Sequence, residues 1–189
     1  MATDTKLFRL TLLLMASQLL AICANGQIYM TKAGQTSFFS ETPLENISAV
    51  NRQVAVLLNS ANGEIAVRMQ HRAFHFPNKL MQEHYNENYM ETEKYPAASF
   101  TGKLTEHIDY NKDGIYTVTA EGILDLHGVK QKRTLKGELI IDHGQCTLNC
   151  EFEVKLSDHN IQVPSLVITK IAESISVKNK FVLTLKKSA

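Results

Sequence analysis

The side chains best suited to chemistry in this sequence are seven histidines and three cysteines. His71 and His75 are four residues apart, so on a strand they would share one face but lie roughly 13 Å apart. That separation is too large for both rings to bind one metal ion. No His-x-His pattern occurs, and the sequence therefore predicts no metal site. His127, in a Leu-His-Gly stretch, is expected to make a structural hydrogen bond.

Cys146 and Cys150 are the two cysteines that follow the N-terminal segment. On one strand they too would lie roughly 13 Å apart, beyond the reach of a disulfide bond. We therefore expect two free thiols packed in a core. A bridge stays open as an alternative if a turn, rather than a strand, occupies residues 146–150.

Sequence patterns typical of catalysis are missing. The chain has no Gly-x-Ser-x-Gly elbow and no glycine-rich phosphate loop. Asp158, in a Ser-Asp-His-Asn stretch, is expected to cap backbone N–H groups rather than to activate a histidine. We therefore expect a protein that is not an enzyme and has no catalytic residues.

The elements that must position these side chains are mostly strands, because apolar residues recur with a period of two. The pattern is clearest over residues 116–126, 148–156 and 175–186, where polar residues fill the alternate positions. Glycine-containing turns, such as Asn62-Gly63, join the strands as hairpins. Within residues 64–76 the apolar phase changes, which predicts a β-bulge near His71–Ala73.

One stretch has the period of a helix instead. Leu80, Met81, His84, Tyr85 and Tyr89 recur at spacings of three and four after Pro77, which predicts one short amphipathic helix. A second irregular piece is expected at residues 157–171. About eight antiparallel strands and one helix predict an all-β fold, closed as an up-and-down barrel or folded as a strongly curved sandwich.

The N-terminal segment is typical of a secretory signal peptide. Lys6 and Arg9 precede an uncharged apolar run, and small residues follow up to Gly26. We expect residues 1–26 to be a signal peptide and residues 27–189 to be one domain, in a periplasmic or secreted protein. A retained membrane anchor, or a lipoprotein modified at Cys23, stays open as an alternative.

The charge of the remaining chain argues against nucleic acid as a partner. Removing Lys6, Arg9 and Asp4 takes 20 basic residues to 18 and 19 acidic residues to 18. No basic stripe is present, so we expect no nucleic-acid binding. Nothing after residue 26 is apolar enough to span a bilayer, and we expect no membrane span once the signal peptide is removed.

Three segments carry a resemblance to a known family. Residues 90–100 end in Tyr-Pro-Ala-Ala-Ser-Phe, residues 122–130 read Gly-Ile-Leu-Asp-Leu-His-Gly-Val-Lys, and residues 152–161 are followed by Pro164. In order and spacing these resemble the YceI-like family of polyisoprenoid-binding proteins over residues 74–186. Residues 27–72 match its pattern only loosely, which predicts a front half short enough to narrow the cavity.

The resemblance implies a lipocalin-like antiparallel barrel that encloses an apolar polyisoprenoid chain. It implies no cofactor beyond a bound isoprenoid quinone or other lipid, and no catalytic residues. From the apolar phase of each segment we expect the ligand to contact Phe74, Phe76, Leu80, Met81, Phe100, Leu124, Phe152, Val154 and Phe181. Polar contacts at the mouth are expected from Asp158 or His84.

Three functions remain open from the sequence. The first is a carrier or reservoir for an apolar lipid. The second is a filled barrel with an interaction or envelope-stress role and no bound lipid, because periodicity alone does not separate a filled barrel from a hollow one. The third is an enzyme acting on a small lipid.

The first testable prediction concerns export. Because the basic start and the apolar run have the order of a signal peptide, the native protein should begin within a few residues of Gly26. N-terminal sequencing of protein isolated from its source checks this. Recovery of an intact Met1 would contradict it.

Overall fold

The computed structural model describes residues 27–41, 46–162 and 172–186. The segment 1–26, on which the signal-peptide prediction falls, lies outside the described residues, as do residues 163–171 of the predicted irregular piece. The strands are β1 (Ile28–Glu41), β2 (Asn46–Asn59), β3 (Glu64–Gln70), β4 (Phe74–His75), β5 (Ala97–Leu104), β6 (Gly114–Leu126), β7 (Val129–Asp142), β8 (Gln145–Lys155) and β9 (Ser174–Leu185).

The eight long strands form one closed antiparallel barrel. Their order is β1-β9-β8-β7-β6-β5-β3-β2, and β2 pairs with β1 to close the ring. The two-residue strand β4 extends the ladder of β2, where His75 pairs with Val50. The predicted all-β fold of about eight strands is confirmed, and the barrel rather than the curved sandwich is the observed form.

Tight turns at both ends allow neighbouring strands to pair in register. His127-Gly128 and His143-Gly144 each have two positive φ angles, the backbone of a type I′ hairpin turn. The first joins β6 to β7, where Leu126 pairs with Val129. The second joins β7 to β8, where Asp142 pairs with Gln145. Gly63, at φ +74°, lies in the β2–β3 turn that the sequence predicted.

The segment between β3 and β4 differs from the prediction. In place of a bulge within one strand, His71–Ala73 forms a single 3₁₀ turn that ends β3 and reorients the chain. Because this turn departs from the strand period, His71 is buried while His75 is exposed, and the expectation that they share a strand face is wrong. The phase change itself is present, since Phe74 returns to the interior.

The predicted short helix is present as α1 (Lys79–His84). Asn78 caps it, with its side-chain oxygen accepting from the Leu80 N–H at 2.9 Å. The chain then widens into one π-helical turn, Tyr85–Tyr89, which the Met90 N–H closes by donating to the Tyr85 carbonyl. No helix in the described part of the chain has the length and hydropathy needed to cross a bilayer.

One end of the barrel is packed solid. Its core includes Tyr29, Leu58, Leu139, Ile141 and Leu183, all at most 2% exposed. Towards the middle, the Phe100 ring lies over the paired glycines Gly102 and Gly122, and the Phe181 ring lies over Gly34. Flat rings fill space that the missing side chain of glycine leaves open on the same or the neighbouring strand.

The second prediction tests this ring-over-glycine packing. A Cβ at Gly122 would lie 2.8 Å from Phe100 Cζ and 2.3 Å from the Thr101 carbonyl oxygen, so Gly122→Ala should destabilise the fold by about 1–3 kcal/mol through overpacking. The matched control is Gly114→Ala, whose Cβ would meet its nearest atom at 3.5 Å. Urea unfolding of both variants measures the difference. Equal free energies of unfolding for the two variants would contradict this ring-over-glycine packing.

The third prediction concerns the thiols. Cys146 and Cys150 are both free, as the sequence predicted, and burial raises the pKa of each to about 11. A thiol reacts as its thiolate, so both should react slowly with a thiol-specific reagent near neutral pH and rapidly after unfolding. Mass spectrometry of protein labelled in the two states checks this. A mass two hydrogens lighter, restored by a reductant, would instead indicate a disulfide bond.

Candidate functional site

The opposite end of the barrel is hollow. A cavity of about 360 Å³ opens there, and its walls come from the ends of the strands together with α1 and the π-helical turn. Strand residues in its lining include Phe38, Met69, Leu124, Phe152 and Val177. Among the described residues that line it, none is Lys, Arg, Asp or Glu. The cavity is therefore an apolar compartment inside the barrel.

An aromatic cluster builds one wall of this cavity, with Tyr85 at its centre. The Tyr85 ring stacks on Phe38 at 5.6 Å between centroids, and it meets Phe74 and Phe76 at 5.7 and 5.0 Å. Aromatic pairs at such distances stabilise a fold by more than the burial of their apolar surface alone. Tyr85 begins the π-helical turn that follows α1. The cluster therefore holds the helical segment, residues 79–89, against β1 and β4.

Most polar side chains in the lining already have partners in the protein. The Thr36 hydroxyl donates to Asn179 Oδ1 at 2.7 Å, and the Ser40 hydroxyl oxygen accepts from the Ala172 N–H at 3.0 Å. Asn78 caps α1. Each of these three groups therefore makes a structural hydrogen bond that supports the wall.

His71 and Tyr85 form a polar pair within the lining. His71 Nδ1 lies 2.9 Å from the Tyr85 hydroxyl oxygen, and both residues contribute to the cavity wall. Burial, with a smaller effect from nearby His127, lowers the pKa of His71 to about 4. Burial also raises the pKa of Tyr85. Near neutral pH the pair is therefore an uncharged imidazole beside an uncharged phenol.

The cavity brings together seven of the nine side chains predicted to contact a ligand: Phe74, Phe76, Leu80, Met81, Leu124, Phe152 and Val154. Phe100 and Phe181 have the predicted inward phase, but they lie in the packed core, outside this lining. These two rings lie outside the cavity because of their depth along the barrel axis, since both cover glycines in the packed part of the barrel. Whether any of these residues contacts a ligand stays a prediction.

Of the two polar residues expected at the mouth, His84 lines the cavity, whereas Asp158 does not. Asp158 is exposed on the 3₁₀ turn Leu156–His159, where its carbonyl oxygen accepts from the Gln131 side chain. Tyr85 and Phe38 also line the cavity, although neither was predicted from the sequence to contact a ligand. Tyr85 had a detectable signal, because it follows Met81 by four residues on the predicted helix face.

His127 makes structural hydrogen bonds, as predicted. Its Nδ1 lies 3.1 Å from the His159 carbonyl oxygen and its Nε2 lies 3.0 Å from Glu91 Oε2. The Tyr95 ring packs on the imidazole at 4.3 Å between centroids. This network fastens the chain that leaves the π-helical turn to the β6–β7 turn, and so holds the helical segment over the barrel.

One group of three exposed side chains could approach a metal ion. Asp113, Asp142 and His143 place their ligand atoms within 4.8 Å of one another. Asp142 and His143 lie at the β7–β8 turn and Asp113 lies just before β6, at the packed end of the barrel. His143 already makes hydrogen bonds to both carboxylates, which accounts for the clustering without an ion. These residues are not part of the cavity.

Solved structures of similar shape come from several bacteria. A polyisoprenoid binding domain from Saccharophagus degradans matches with a TM-score of 0.69 and 14% identity, over 86% of this chain and 100% of that one. Burkholderia cenocepacia BcnA matches with a TM-score of 0.67 and 14% identity, over 80% and 96% of the two chains. A YCEI protein of Campylobacter jejuni matches with a TM-score of 0.55 and 16% identity, over 72% and 81%.

At these identities the structural matches establish the fold. No curated protein matches the sequence. A family model, described as the YceI-like domain, matches residues 29–184. That span includes most of residues 27–72, which the sequence pattern had matched only loosely. In this part of the chain, β1 and β2 are 14 residues each and are among the longest strands of the barrel. Because the family model covers most of the chain, the protein belongs to the YceI-like family.

Proposed function

We propose that this protein binds an apolar, lipid-like molecule in the cavity and acts as its carrier or reservoir. The observation that carries the proposal is the contrast between the two ends of one barrel. One end is filled by buried side chains, whereas the other encloses about 360 Å³ behind apolar and aromatic walls. A site of that kind, with few polar groups, is typical of small-molecule binding.

The size of the cavity restricts the ligand. Ligand sites commonly measure about 300–1,000 Å³, so this one is near the lower end. It suits a short hydrocarbon chain, or one end of a longer polyisoprenoid whose remainder leaves through the mouth. Each buried CH₂ would contribute about 0.8 kcal/mol, so a chain needs few polar contacts to be held.

The side chains we propose as ligand contacts are the seven predicted ones that line the cavity. The Leu80 side chain is 56% exposed. It lies on α1, at the rim, where an apolar side chain in water would gain from covering a hydrocarbon chain. Phe152, on β8, is half-buried, with the Arg133 guanidinium 5.7 Å from its ring centroid.

We infer a binding role rather than catalysis. The hydroxyls of Thr36 and Ser40 are engaged in structural hydrogen bonds, and the imidazole of His71 has a phenol rather than a carboxylate as its partner. Such an arrangement lacks the oriented base that activates a nucleophile. The membership of a family with a polyisoprenoid-binding structural relative supports the same role.

We place this function outside the cytoplasm, in the periplasm or in the secreted fraction. The support is the N-terminal sequence, whose basic start, apolar run and small residues have the order of a signal peptide. A carrier there would keep an apolar molecule in solution between membranes.

The fourth prediction compares two phenylalanines with the same inward phase. Phe181→Ala, in the packed core, should cost about 3–5 kcal/mol of unfolding free energy. Phe152→Ala, in the cavity wall, should cost clearly less, because its ring is packed on one side only, and should change which lipid is retained. The measurements are denaturant unfolding and mass spectrometry of organic extracts of protein purified from its native envelope.

The wild-type protein is the reference for the lipid content in this comparison. Similar, core-sized losses in both variants, with no lipid in any preparation, would contradict the carrier and leave the filled barrel with an interaction or stress role.

A further inference from the structure

The His71–Tyr85 pair is a polar feature of the cavity wall with one buried atom that the described residues leave without a hydrogen-bond partner. His71 is 2% exposed, and its Nε2 atom is buried with no hydrogen-bond partner among the described residues. Its other ring nitrogen is 2.9 Å from the Tyr85 oxygen. A buried polar atom without a partner is uncommon in folded proteins. The position of the proton on the His71 ring therefore decides which hydrogen-bonding groups of this pair are left for a ligand.

An uncharged imidazole carries one N–H donor and one acceptor nitrogen. If Nε2 held the proton, a buried N–H would have no acceptor among the described residues, and the Tyr85 hydroxyl would be used as a donor to Nδ1. If Nδ1 holds the proton, it donates to the Tyr85 oxygen and only a lone pair on Nε2 is unmatched. Buried N–H groups without an acceptor are rarer than incompletely used acceptors, which favours the proton on Nδ1.

That tautomer leaves the hydroxyl hydrogen of Tyr85 free. A phenol both accepts and donates, so Tyr85 can accept from His71 and still donate to an oxygen atom in the cavity that it lines. The rings of Phe38, Phe74 and Phe76 hold the Tyr85 ring in place. A donor held by packing loses little conformational freedom when it binds.

The surroundings of this donor disfavour a charged partner. The described lining has no lysine or arginine, and the imidazole beside Tyr85 is uncharged near neutral pH because burial lowers its pKa to about 4. A carboxylate or phosphate brought into this compartment would lose its hydration without gaining a counter-charge, which is costly. A carbonyl or ether oxygen loses far less.

We propose that Tyr85, positioned by His71, donates a hydrogen bond to an uncharged oxygen acceptor of the ligand. The cavity would thereby select ketone, quinone, ester or ether groups over carboxylates and phosphates at this position. This inference rests on the proposed lipid-binding function and specifies its ligand class.

The test measures binding of three probes of matched chain length to the purified protein: decyl methyl ketone, dodecane and dodecanoate. Each competes with the fluorescent dye phenylnaphthylamine. The wild-type protein should bind the ketone most tightly and the carboxylate most weakly. Tyr85→Phe should weaken ketone binding about threefold to tenfold, the range expected for one hydrogen bond, and leave dodecane binding unchanged.

Tyr116→Phe is the matched control, because its hydroxyl donates to the Lys112 carbonyl oxygen, outside the cavity. It should alter binding of none of the probes. Infrared spectroscopy of the bound ketone gives a readout that folding alone would not move: the carbonyl stretch should shift to lower frequency in the wild type, and the shift should disappear in Tyr85→Phe.

Two substitutions of His71 test its positioning role. His71→Asn retains a side-chain N–H near the place of Nδ1 and should keep part of the ketone preference and of the infrared shift. His71→Leu should lose both. If either variant fails to fold, Tyr85→Phe with its infrared readout still decides the matter, since it preserves the ring.

The outcomes separate this inference from the proposed function. Ketone binding that is unchanged in Tyr85→Phe, or tightest binding of dodecanoate by the wild type, would overturn the inference while leaving a lipid-binding barrel. Failure of the wild type to bind any of the three probes, with no lipid extracted from the native protein, would overturn the proposed function itself.

Discussion

Strand β1 pairs with β9 along one side and with β2 along the other, and these two ladders turn an open sheet into a ring. Closure satisfies the backbone hydrogen bonds that edge strands would otherwise leave exposed. It also defines a single interior, so every inward side chain must either fill that interior or line a space within it. The packed core, the cavity and the position of the helical segment all depend on this closure.

The two ends of the barrel differ because side chains fill one end and leave a cavity at the other. In the packed half, flat rings lie against glycines of the same strand or of its neighbour, as at Phe100 and the pair Gly102 and Gly122. In the other half, the described aromatic rings line the cavity wall. There the helical segment covers the barrel from the side, with Tyr85 inserted among the aromatic rings of β1 and β4. The helical segment covers this end without filling it, which leaves the cavity.

Two buried histidines support this covering segment in different ways. His127 joins Glu91 to the β6–β7 turn and holds the end of the segment. His71 meets Tyr85 at the start of the π-helical turn, inside the cavity wall. The π-helical turn between these two attachments is a rare conformation that is frequent at functional sites, and here it presents a phenol to an apolar compartment. The same side chain thus contributes both to the wall and to the proposed selection of an uncharged ligand.

The sequence by itself determined the strand faces, the hairpin turns and the start of the helix, because these depend on neighbours within a few residues. Period-two alternation put Phe152 and Phe181 on inward faces, and Pro77 marked the helix start. Only the tertiary structure decided which inward residue lines the cavity and which fills the core. Periodicity reports the face of a strand but not the depth along the barrel axis, which depends on the register between distant strands. The 3₁₀ turn at His71 and the partnership with Tyr85 were decided in the same way, by contacts that form once the barrel has closed.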